Sequence, residues 1–264
     1  MGPSYFVGSP DWRSALLAAV FALPWLVFLG RGWLRRGWLW AAVAAAAILF
    51  PFSIAWVQVP LQQAVGALWA RVLSAPPGVP LLYLVALPGL LVASLVQEAA
   101  KLAVAAATLR ALGNTRRPRA GLALGAAAGA GYGAFEAFWT FNRIFAAGWS
   151  WATVELAGPV ALFGFLERLF AVPFHAASAA LSGYGLATRR PWRFFLLAVG
   201  LHTALNYSVV LLQTRVLSAV GAEVWGALVA ALTIGAAIGL CTRAGRAAPP
   251  DAARLNGVER GGTQ

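Results

Sequence analysis

Residues 80–110 read PLLYLVALPGLLVASLVQEAAKLAVAAATLR, and this stretch decides the fold class. The first eighteen residues, Pro80 to Gln97, carry no charge. At about 1.5 Å per residue, a helix of that length nearly crosses the roughly 30 Å hydrocarbon core of a bilayer. Glu98 and Lys101 then stand one helical turn apart, after which the apolar run resumes and ends at Arg110. The strict alternation of a transmembrane strand is absent, so a helix is the spanning form left.

Similar apolar runs lie on both sides, at about 13–30, 37–59, 120–142, 158–187, 193–213 and 222–242. The whole chain is 61% hydrophobic and 11% charged, far from the quarter or so of charged residues in soluble domains. We therefore expect an all-α, polytopic transmembrane helical bundle of about seven spans. Residues 1–244 form one domain, and 245–264 read as a polar, Gly-rich, disordered tail. A shorter amphipathic stretch at 61–75 is expected to lie at the membrane surface, separated from the next span by Pro76-Pro77. The third and fifth spans exceed a bilayer's needs, so tilting or kinks at Pro88-Gly89 and Pro173 are expected.

A net charge of +12 raises the question of nucleic acid, but the arginines fall in short clusters between apolar spans. One set of loops and the tail carries Arg31, Arg35, Arg36; Arg110, Arg116, Arg117, Arg119; Arg189, Arg190, Arg193; and Arg243, Arg246, Arg254, Arg260. The alternate segments carry only Arg13, Arg71, Arg143 and Arg215. The alternation predicts an N-terminus outside and a C-terminus in the cytoplasm. Trp38, Trp40, Trp149, Trp151 and Trp192 fall near span ends, as interfacial anchors do. Residues 1–30 lack a basic leader and a small-residue cleavage site, so they do not read as a cleavable signal peptide. The single cysteine, Cys241, excludes an internal disulfide or a cysteine-rich metal knuckle.

Against this apolar background, Glu98, Glu136, Glu167, His175 and His202 stand inside spans, with Lys101 and Arg168 beside them. A charge at mid-bilayer costs about 2.5–3.5 kcal/mol on insertion scales, so each must face the bundle interior and find a partner. Counting from the arginine clusters at about 1.5 Å per residue puts Glu98 about 18 Å in, His175 about 21 Å and His202 about 14 Å. These three form one layer. Glu136, Glu167 and Arg168 fall deeper, as an outer group. Asn206 follows His202 at i,i+4, and Gln97 and Ser178 sit beside the same layer.

A carboxylate with a neutral imidazole can hold and deprotonate a water, while a second imidazole and an amide donate to an oxyanion. On that reading Glu98 and His175 activate the water and His202 with Asn206 are the donors. Two His and one Glu also match the ligand count of a catalytic zinc, although HExxH is missing. The bland alternative is a set of structural ion pairs and interhelical hydrogen bonds.

Four short motifs carry a resemblance. Gln97-Glu98-Ala99-Ala100-Lys101 resembles the EExxK/R motif of glutamic-type intramembrane proteases. Gly131-Tyr132-Gly133-Ala134-Phe135-Glu136-Ala137 resembles their glycine-rich second motif. Glu167-Arg168-Leu169-Phe170-Ala171, leading to Phe174-His175 and Ser178, is similar to the third, and Leu201-His202 with Asn206 to the fourth. The superfamily contains PrsW-like, YhfC-like and type II CAAX prenyl proteases, and the likeness spans about residues 90–215. Two positions depart from it: Gln97 replaces the first Glu of the pair, and Tyr132 stands where YhfC-like members usually carry His. The resemblance implies hydrolysis of a membrane-embedded or membrane-proximal protein or peptide. It implies Glu98, His175, His202, Asn206 and Glu136 as catalytic residues. Gln97, Lys101, Glu167, Arg168, Ser178 and Tyr132 would support them. No cofactor is expected, with zinc left open by the His and Glu count, and the expected setting is the plasma (inner) membrane of a bacterium. A non-catalytic scaffold of the same fold and a proton-coupled carrier are the competing classes.

Overall fold

The computed structural model describes residues 4–73, 77–113 and 117–246, and within them every regular element is helical. The elements are α1 (Trp12–Gly30), α2 (Gly37–Ser53), a π-helical segment (Ile54–Gln58) and α3 (Val59–Val72). After these come α4 (Val79–Ala111), α5 (Pro118–Ala146), the short α6 (Trp151–Ala157), a 3-10 turn (Gly158–Leu162), α7 (Phe163–Ala187), α8 (Pro191–Gln213) and α9 (Ala219–Arg246). Six helical runs are long and apolar enough to cross a membrane: Trp12–Gly30, Gly37–Val72, Val79–Ala111, Trp151–Ala187, Pro191–Gln213 and Ala219–Arg246. The chain is an integral membrane protein of the polytopic helical class.

The seventh long helix, α5, is the least apolar, and its first half does not face lipid. Every residue from Ala120 to Gly133 is buried against other helices. Small side chains make this possible. A Cβ placed on Gly121, Gly125 or Gly129 would collide with the carbonyl oxygen of Gly183, Ala179 or His175 on α7. One on Gly131 would collide with the carbonyl of Val43 on α2. α5 and α7 thus meet backbone to backbone, the close approach that small residues permit between membrane helices. On α7 the run Ala171–Gly183 is buried without interruption.

Helix ends follow local chemistry. Asp11 caps α1 by accepting from the Arg13 N–H at 2.8 Å. Pro118 and Pro191 open α5 and α8, where a missing N–H costs nothing. The segment before α1 is strapped to the far end of α5. Trp139 Nε1 donates to the Ser4 carbonyl at 2.9 Å, and the Asp11 N–H donates to Asn142 Oδ1 at 2.7 Å.

One expectation needs correction. The stretch at 61–75 is not separate from the second span. α3 continues α2 through the π segment, giving 36 unbroken helical residues from Gly37 to Val72, roughly 54 Å at the usual rise. Residues 54–58 absorb the join because a π turn inserts a residue without ending the helix. α9 is described to Arg246. Pro88 and Pro173 sit inside continuous helices. Pro76, Arg116, Arg254, Arg260 and most of the 245–264 tail lie outside the described residues.

Candidate functional site

Glu98 and Lys101 share one face of α4 because a spacing of three residues stacks side chains on a helix. Both are fully buried, and Lys101 Nζ donates to Glu98 Oε1 at 2.6 Å. The other two ammonium protons find α7, with His175 Nδ1 at 3.0 Å and Ser178 Oγ at 3.1 Å. Ser178 in turn donates to Glu98 Oε1 at 3.1 Å. From α8, His202 Nδ1 reaches Glu98 Oε1 at 2.8 Å. Four side chains from three helices therefore converge on one carboxylate or its cation. An isolated charge there would cost several kcal/mol, which the pairing offsets.

Hydrogen-bond arithmetic assigns the tautomers. An ammonium has only donors, so His175 Nδ1 accepts and the ring's proton sits on Nε2. That Nε2 lies 2.7 Å from Glu136 Oε2 on α5, a close contact whose alignment falls short of a good hydrogen bond. A carboxylate only accepts, so His202 donates from Nδ1. In the neutral ring His202 Nε2 then carries the lone pair, and that atom has no hydrogen-bond partner among the described residues. The two imidazole rings are 5.2 Å apart, edge to face, and Phe174 packs 5.2 Å from His202.

The two groups read from depth are joined. Glu136 Oε1 meets Arg168 Nη1 at 3.0 Å, and Arg168 is also paired with its neighbour Glu167. One chain of contacts runs from His202 through Glu98, Lys101, His175, Glu136 and Arg168 to Glu167. His175 is the link, because α7 places it beside α4 and α5 at once.

Other expected residues take different positions. Between Glu98 and His175 stands the Lys101 ammonium, and the imidazole bonded directly to Glu98 is His202. Asn206 forms no hydrogen bond with His202. It lines a cavity of about 170 Å³ between α7, α8 and α9, with Glu167, Phe170, Ser208 and Glu223. Gln97 is tied away from the cluster, its Nε2 donating to Gln58 Oε1 on the π segment at 3.0 Å. Tyr132 is fully buried, its ring centroid 5.8 Å from that of His175 and its hydroxyl 2.9 Å from Ser53 Oγ. Ser53, Gln58 and Glu223 carry no signal that singles them out in the sequence beyond being polar in an apolar run. The bridge that Lys101 makes was underrated for a similar reason: i,i+3 spacing shows one partner, and the other two come from α7.

Glu98, His175 and His202 each offer one ligand atom, and the three atoms lie within 4.8 Å of one another. Tetrahedral zinc with bonds of about 2.0–2.1 Å needs ligand atoms roughly 3.3 Å apart, so the count fits and the spacing is loose. Lys101 Nζ already contacts two of the three. No family model, curated protein or solved structure matches this chain.

Proposed function

We propose that the protein is an intramembrane endopeptidase that hydrolyses a peptide bond of a membrane-embedded or membrane-proximal substrate. The observation that carries this reading is His202: its Nδ1–H is held by Glu98 and its Nε2 lone pair is unpartnered, inside a membrane domain. Such an imidazole is oriented for proton abstraction, and the carboxylate behind it offsets the positive charge that forms. In this scheme His202 Nε2 takes a proton from water and the resulting hydroxide adds to the scissile carbonyl carbon. The same proton then passes to the departing amine. His175 offers the neighbouring N–H, on Nε2, to the developing oxyanion once it turns from its loosely aligned contact with Glu136.

The histidine roles are thus exchanged relative to the sequence expectation, with His202 as base and His175 as donor. Glu98 is less suited to act alone, because Lys101, Ser178 and His202 all point protons at it. Residues of all four motifs that resemble glutamic-type intramembrane proteases lie in the one connected chain, which supports the same reading.

The test uses purified protein in liposomes with fluorogenic transmembrane peptides. His202→Ala is expected to abolish cleavage, His175→Ala to reduce it by two to three orders of magnitude, as loss of one oxyanion donor does. Unchanged cleavage by His202→Ala sinks the proposal. One observation favours a second reading. His175 is in contact on both ring nitrogens, as in a structural network, so a non-catalytic membrane scaffold is the alternative. It predicts no cleavage by the wild-type protein, and thermal stability that drops in both histidine variants.

A further inference from the structure

Lys101 stands where a metal would. In metal sites a ligating histidine commonly turns one nitrogen to the ion and donates its other N–H to a carboxylate. His175 has that arrangement, with Nε2 facing Glu136 and Nδ1 facing a cation, and the cation is the Lys101 ammonium. The same ammonium touches Glu98 Oε1 at 2.6 Å. An ion bound to Glu98 and His175 at about 2.0–2.1 Å from each would overlap Nζ. Lys101 is fully enclosed by the surrounding helices, so its stem cannot carry the charge to the surface.

Charge leads the same way. The fully buried Glu98 is matched by the fully buried Lys101, while Arg168 serves both the part-buried Glu136 and the exposed Glu167, so with neutral imidazoles the inner Glu98–Lys101 set is neutral. A divalent ion added to that set would bring two buried positive charges and no counterion, a large penalty at low dielectric. Removing the Lys101 charge leaves Glu98 uncompensated beside two imidazoles, a His₂Glu set of the kind that holds catalytic zinc.

We propose that Lys101 is the resident cation of this site, making it metal-free as built and a latent transition-metal site once that charge is removed. The inference concerns the same cluster as the hydrolytic reading, but its readout is bound metal, so either can fail without the other.

The experiment equilibrates detergent-purified wild type, Lys101→Met and Lys101→Gln with Zn²⁺ or Co²⁺. After free ion is removed, elemental analysis and the Co²⁺ visible spectrum report what is bound. Wild type is expected to retain no ion at this site. Lys101→Met should retain about one equivalent with the intense absorption of tetrahedral Co²⁺, and lose it when His175→Ala or His202→Ala is added. A wild-type protein holding one equivalent that His202→Gln removes overturns the proposal. So does a folded Lys101→Met or Lys101→Gln protein that binds none. Should the variants accumulate poorly, rescue by Zn²⁺ in the growth medium supports the proposal, and failure of both variants with and without Zn²⁺ counts against it.

Discussion

Replacing Gly129 with alanine tests the link between packing and the site. The added Cβ would lie 2.7 Å from the His175 carbonyl carbon and 2.8 Å from Ala176 Cα, and would overlap the His175 carbonyl oxygen. These are backbone atoms, so no side chain can rotate aside. Moving Ala176 Cα out to an ordinary contact of 3.4 Å requires α7 to retreat by about 0.6 Å, and clearing the oxygen requires more. Overpacking of this kind costs about 1–3 kcal/mol. Alanine's better helix propensity offsets up to about 1 kcal/mol of it. Gly235 on α9 isolates the propensity effect, because a Cβ there meets nothing within 4 Å. Gly235→Ala should therefore be neutral or stabilising, and Gly129→Ala should lie about 2 kcal/mol below it. In a chain of this size that is roughly 4–8 °C in melting temperature. Paired thermal unfolding in one detergent gives the comparison. The same retreat from α5 carries His175 away from Glu136 and lengthens their 2.7 Å contact, so peptide cleavage should fall in Gly129→Ala and not in Gly235→Ala. Equal melting temperatures for the two variants would refute the backbone-contact argument.

Glu98→Gln alone strands the Lys101 ammonium and should cost about 3–5 kcal/mol, whereas Glu98→Gln with Lys101→Met should recover most of it, a coupling that a double-mutant cycle in matched detergent measures. Gln97→Glu restores the paired acids of the first motif, yet Gln97 is bound to Gln58 and not to the cluster, so turnover of a transmembrane peptide should not rise. A several-fold increase in that assay would mean that position 97 reaches the reacting groups. Cysteines placed one at a time in the Arg189–Arg193 loop should label only from the cytoplasmic side in intact cells, and labelling from outside would reverse the orientation.

The reach of sequence reasoning here differs from residue to residue. Spans were legible because lipid demands some 20 apolar residues in a row, a local requirement written along the chain. Even α5 was legible despite its lower apolarity, since its glycine and alanine rows declare a helix packed among helices. The boundary at 59–61 was misread because a π turn changes hydrogen bonding without changing composition. Among the site residues, Glu98, His175 and His202 stood out because each is costly in an apolar run. Their depths were close enough to group them, but depth is one coordinate. Rotation about each helix axis and the choice of neighbouring helix are the others.

Composition and spacing by themselves determined a polytopic helical membrane protein, its span order, and a short set of ionisable residues that had to be paired in its interior. Only the tertiary structure decided who pairs with whom. It set His202 rather than His175 on Glu98, put the Lys101 ammonium between Glu98 and His175, and joined the outer Glu136–Arg168–Glu167 group to the inner one through His175. It also sent Asn206 to a separate cavity and Gln97 to the π segment. The physical reason is that burial cost is a property of one residue in its own span. Compensation for that cost comes from contacts between helices, which depend on how α5 and α7 pack backbone to backbone and which faces that packing turns inward.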